Sequence, residues 1–196
     1  MKKSNFLQSL GAATLLLTTA SAQAHTGHGT EGFAVGLAHP FMGLDHLLAM
    51  VAVGIWSMTV LPKAFRLAGP MVFIAMLLVG ALTAMAGVVL PQVEPGIAAS
   101  VAVLGAMLLM ARHIGLVAGL TMVAVVALFH GYAHGAELAA GHSFAAYAAG
   151  FMLGSAALHG AGLGAGVALQ RLPVWVGRSV AALMGASGLV MLATRL

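Results

Sequence analysis

Polar positions in this chain are sparse and fall in short groups, separated by apolar stretches of membrane-crossing length. The first such stretch, residues 33–61, is interrupted at His39-Pro40 and closes before Lys63 and Arg66. At about 1.5 Å per residue it is longer than one ~30 Å crossing needs. The excess predicts a short entry segment, then a first helix starting at Pro40, because proline is tolerated in a first helical turn. A second helix is expected over about 67–90, followed by a turn at 91–95. The third spans about 96–111 and ends at Arg112-His113, and the fourth spans about 114–137. Residues 138–143 read as a loop, the fifth helix as about 144–169, and the sixth as about 174–193 after a turn at 170–173.

Composition turns this pattern into a class. Of 196 residues, 61% are hydrophobic and 6% charged, with a mean hydropathy of +1.05. Soluble chains carry about 25% charged residues, so a soluble enzyme is excluded, and so is a disordered chain. The expected fold is an all-α integral membrane protein, a bundle of six transmembrane helices set in the lipid bilayer. There are no cysteines, which removes disulfides, thiolate metal sites and cysteine nucleophiles. The net charge of +4 rests on only eight basic residues, and these do not cluster as a nucleic-acid surface would require.

The basic residues read instead as topology signals. Lys2 and Lys3, the apolar run 10–17 and Ala22-Gln23-Ala24 fit a cleaved signal peptide over residues 1–24. Residues 25–32 would then form a short periplasmic segment, and 33–196 the six-helix domain. That places the chain in a bacterial inner membrane with its mature N-terminus in the periplasm. The three inside loops carry Lys63, Arg66, Arg112 and Arg171, with Arg178 just inside the sixth helix, whereas the outside loops carry Glu94. This follows the positive-inside rule, and Arg195 is the exception. The spacings Gly150-x3-Gly154, Gly160-x3-Gly164 and Gly162-x3-Gly166 predict close helix packing.

Ionisable groups within a bilayer are costly, and their default reading is functional. Two of the four acids, Asp45 and Glu137, lie in apolar segments beside histidines. In the first group, His39, Asp45 and His46, a continuous helix would place His46 about 20° from His39, with Met42 between them. In the second, His130, His134 and Glu137 stand at i, i+4 and i+7 on one helical face, flanked by Gly131 and Gly135. Both groups fall in the outer half of the bilayer. Four imidazoles and two carboxylates suit a first-row divalent ion such as Ni, Zn, Cu or Fe. These six residues are the candidate metal ligands. His25, His28, Met42 and His159 are accessory candidates: the first two for capture outside, His159 for a path deeper in. No permanently bound cofactor, no catalytic residue and no ATPase motif is expected.

At these two motifs the sequence resembles the HupE/UreJ family of hydrogenase and urease accessory membrane proteins. The pattern of His, five residues, then Asp-His matches His39, Asp45 and His46. The pattern Phe-His-Gly-x-Ala/Val-His-Gly-x-Glu is matched in full from Phe129 to Glu137. The larger nickel–cobalt transporter family has four residues between His and Asp-His, which argues against it. The resemblance implies a secondary permease for Ni²⁺, with Co²⁺ as an alternative cargo, supplying metal for hydrogenase or urease maturation. The residues alone leave other classes open. One is an intramembrane zinc-dependent hydrolase with a metal-activated water. Another is a haem-binding electron-transfer subunit.

Overall fold

The computed structural model describes residues 32–136 and 144–196. The expected signal peptide, His25, His28 and Glu137 lie outside the described residues. Among those described there are seven α-helices and no strand. They are α1 (Gly32–Met42), α2 (Leu44–Val60), α3 (Ala68–Met85), α4 (Val93–Leu109), α5 (Leu116–Ala136), α6 (Phe144–Leu169) and α7 (Val174–Ala193). Short 3-10 turns, Lys63–Phe65 and Ala111–His113, lead into α3 and α5. Four segments are long and apolar enough to cross a membrane: Lys63–Met85, Leu116–Ala136, Phe144–Leu169 and Val174–Ala193. The pair α1 and α2 makes a fifth if counted as one broken span, and α4 is apolar but shorter, at 17 residues. The described residues are all-helical outside their connections, with the long apolar helices of a membrane protein.

The first span breaks at a different residue from the one expected. Pro40 lies inside α1, and the chain bends by 79° three residues later, at Gly43. Proline removes one backbone donor but can stay within a short helix whose other bonds survive. Gly43 is the single residue between α1 and α2, in an extended conformation just before Asp45-His46. A Cβ there would stand 2.9 Å from Asp45 Oδ1 and 3.1 Å from His46 Nδ1.

Two further boundaries shift. The second expected helix ends at Met85 rather than near 90, because Gly87 adopts φ +77° and leaves the helical path. The next helix begins earlier, at Val93, after Gln92 turns through the left-handed region (φ 56°). Pro95 then falls in the first turn of α4, where its missing donor is not needed. The helices α6 and α7 have the bounds expected from the sequence.

The helices pack most extensively as α3 on α5, α1 on α6, α4 on α7 and α2 on α6. Missing side chains make these approaches close. Added Cβ atoms at Gly131 and Gly135 of α5 would collide with the backbone carbonyls of Leu77 and Ala81 on α3. Gly150 and Gly154 sit against the α1 backbone, and Gly162 and Gly166 against α2. Gly160 and Gly164 have open space instead, so that pair makes no such contact. The core is built around Met50, Val53 and Trp56 of α2, Phe73 of α3 and Phe151 of α6. Apolar side chains such as Met71, Val117, Leu153 and Leu189 remain exposed on the outside, as a lipid-facing surface requires.

The starts of α2, α4 and α6 meet the ends of α3, α5 and α7 at one end of the bundle. Asp45 and His46 open α2, His130 and His134 lie near the end of α5, and Tyr147 and Phe151 lie near the start of α6. The polar residues that carry chemistry are therefore gathered at that end.

Candidate functional site

The first motif is organised around one carboxylate. Asp45 stands in the first turn of α2, where a negative charge suits the exposed backbone donors. Its Oδ1 accepts from the His46 backbone N–H and from His46 Nδ1, both at 2.7 Å. A carboxylate only accepts, so the His46 ring carries its proton on Nδ1 and presents a lone pair at Nε2. That Nε2 lies 2.6 Å from His134 Nε2 on α5, which donates to it. Asp45 thus orients an imidazole in the manner of the carboxylates behind metal-bound histidines.

The second motif is fixed from α4. Ser100 gives its hydroxyl proton to the Ile97 carbonyl at 2.6 Å, and so accepts from His130 Nε2 at 2.8 Å. This sets the proton of His130 on Nε2 and leaves a lone pair on Nδ1. Nδ1 is buried and has no hydrogen-bond partner. An acceptor buried without a partner is costly unless something else satisfies it.

Four imidazoles from three helices converge. The ring centroids of His46 lie 4.6 Å from those of both His130 and His134, and 6.2 Å from that of His39. His39 and His134 are 4.7 Å apart. The 79° bend at Gly43 brings His39 in from α1, so the pair meets through a break rather than along one helical face. His46, His130 and His134 are all buried. Phe151 packs against His39, His46 and His134 and closes the apolar side.

Among the described residues, no group of three or more His, Asp or Glu side chains is arranged so as to hold a metal ion. The closest pair of nitrogens is too near to share an ion. An ion about 2.0–2.1 Å from each of two imidazole nitrogens holds them about 3 Å apart or more, whereas His46 and His134 share a proton at 2.6 Å.

The remaining candidates fall elsewhere. Met42 is 82% exposed and stands away from the rings. His159 is buried on α6, donates from Nδ1 to the Ser155 carbonyl at 2.7 Å, and keeps an unpartnered Nε2. Phe73 lies between it and the cluster, with its ring 4.9 Å from His159 and 5.9 Å from His130.

Three residues at this end were not among the candidate site residues read from the sequence. Ser100 is one of many small residues in α4, and only the fold sets it beside His130. Tyr132 sits within the second motif and reaches back to the α3–α4 connection. Its hydroxyl donates to the Val88 carbonyl at 2.9 Å and accepts from Leu90 N–H at 3.1 Å. Arg195 follows α7 and pairs with Asp45 Oδ2 at 2.8 Å. It also lies 3.6 Å from Glu94 Oε2. Its place as the one exception to the charge pattern was the available signal.

Comparison with known proteins gives matches over most of the chain. Residues 13–191 match the family model described as HupE / UreJ protein. The chain is 39% identical over 164 residues to Protein HupE of Rhizobium leguminosarum bv. viciae, an alignment covering 84% of each chain. No solved structure matches. The match spans both histidine motifs and every described helix up to the last turn of α7, and the chain belongs to the HupE/UreJ family.

Proposed function

We propose that this protein is a secondary inner-membrane permease for Ni²⁺, with Co²⁺ as an alternative cargo, serving hydrogenase or urease maturation. The observation that carries this reading is the convergence of four imidazoles from α1, α2 and α5 at one end of an apolar bundle. Imidazole nitrogens favour first-row transition ions over Mg²⁺ and Ca²⁺. A site closed by a shared proton rather than by a rigid cage suits cargo that must be released.

In this reading the chain crosses the bilayer six times. The bent α1–α2 pair counts as one crossing and α4 as the short one. The site end faces the periplasm. His39, His46, His130 and His134 contact the ion, Asp45 acts through His46, and Glu137, the acid of the second motif, is the further candidate ligand. His159 receives the ion beyond Phe73.

The test is uptake of radioactive nickel into proteoliposomes by wild type, His46→Ala and His130→Ala, with cobalt and zinc as competitors. Uptake by wild type, and its loss in both variants, is the expected result. Undiminished uptake in both variants would overturn the assignment of the site. Absence of wild-type uptake, with zinc retained tightly through purification, would point to a fixed-metal hydrolase instead.

A further inference from the structure

Arg195 is placed where a cation would be least expected at a cation-binding end. Its guanidinium pairs with Asp45 Oδ2 at 2.8 Å, and both side chains are largely buried. The other arm of the fork points to Glu94, with Nη1 3.6 Å from Oε2 and 3.5 Å from the backbone carbonyl. Glu94 is the more exposed of the two carboxylates, its side chain 44% accessible. One arginine thus stands between two acids on two helices, tight on the buried one and loose on the exposed one.

The orientation of Asp45 does not depend on this arginine. Oδ1 is fixed by the adjacent His46 backbone N–H and by His46 Nδ1. What Arg195 contributes is charge. With the imidazoles neutral, it balances Asp45. A divalent ion entering beside His46 would bring two positive charges toward a carboxylate already neutralised, and the guanidinium would be repelled. Glu94 is the acceptor within reach.

We propose that Arg195 is an internal counter-cation that gives up Asp45 to incoming metal and shifts onto Glu94, so that its return to Asp45 promotes release. This rests on the metal-binding reading above. It makes Arg195 a positioning residue whose removal tightens binding, which is the opposite of what loss of a structural ion pair would do.

The experiment is Ni²⁺ calorimetry on the full-length protein in detergent, with wild type, Arg195→Gln, Arg195→Lys, Glu94→Gln and the Arg195→Gln/Glu94→Gln double variant. Arg195→Gln should lower Kd by at least about tenfold. In proteoliposomes its KM and maximal rate should fall together, because release is slowed. Arg195→Lys keeps the charge and should stay near wild type. Glu94→Gln should raise Kd, and that effect should vanish when Arg195 is already Gln. Since the chain has no native cysteine, a nitroxide on Leu196→Cys reports the same movement without substitution of Arg195. Its mobility should rise on addition of diamagnetic Zn²⁺.

Wild-type Kd in Arg195→Gln, weaker binding there, or an unmoved nitroxide would overturn the counter-cation role while leaving the metal site standing. Folded wild type that binds no Ni²⁺ would overturn the metal-binding reading itself, and this inference with it.

Discussion

The two oxygens of Asp45 face different partners, and this separates its role from that of the rings. Oδ1 holds His46 through backbone and ring, and Oδ2 holds Arg195. Asp45→Asn would keep the shape but lose the charge, leave Arg195 without its balancing acid and weaken the hold on the His46 tautomer. Removing such an orienting partner typically costs 10–100-fold in metal affinity. The variant should therefore bind Ni²⁺ about 10–100-fold more weakly by calorimetry, with its helical circular dichroism unchanged. Wild-type affinity would show that the carboxylate does not act through His46. At this scale the sequence was informative where cost is high. Asp45, His46, His130 and His134 stood out because ionisable groups in apolar helices need a reason. Ser100 did not, because a serine in a helix is cheap and its partner lies thirty residues away. Arg195 was visible only as an anomaly, since its two acids come from helices far apart in sequence.

Helix contacts decide where those side chains end up. Gly131 and Gly135 let α5 lie close against α3 in the stretch that carries His130 and His134. A methyl group at Gly131 would strike the Leu77 carbonyl, which as backbone cannot rotate away. Gly131→Ala should thus cost about 1–3 kcal/mol and displace both histidines. Gly160 on α6 has nothing within 4 Å of its would-be Cβ. Gly160→Ala should be neutral or slightly stabilising, since alanine is the better helix former. Thermal unfolding in detergent distinguishes the two, and equal midpoints would contradict the close α3–α5 packing. The element pattern itself was largely legible from hydropathy, and α6 and α7 have the expected bounds. The departures have local causes. A break was assigned to Pro40, yet it falls at Gly43, where an added Cβ would crowd the Asp45 and His46 side chains. The ends near Gly87 and Gln92 depend on single left-handed residues, which hydropathy does not register.

For the whole molecule, the question is which face of the membrane the cluster meets. Lys63 and Arg66 follow α2, and Arg171 follows α6. Asp45 and His46 open α2, and Phe144 opens α6, so these basic residues lie at the end of each helix away from the cluster. Uncompensated positive charge favours the cytoplasmic side. Arg195 does not contradict this orientation, because it is neutralised by Asp45 and lies close to Glu94. The histidine end should then face the periplasm. The absence of native cysteine makes this directly measurable. In intact cells with a permeabilised outer membrane, a membrane-impermeant maleimide should label Val89→Cys, which is 83% exposed within the α3–α4 connection. It should label Ala64→Cys and Leu172→Cys only after the inner membrane is opened. The reverse pattern would put the imidazoles on the cytoplasmic face, and import through an outward-facing site would no longer describe this chain. An orientation confirmed by labelling would also give the Arg195 pair its direction. The counter-cation would then act at the entrance, where it sets how tightly the first-encountered site holds its ion before the ion passes Phe73.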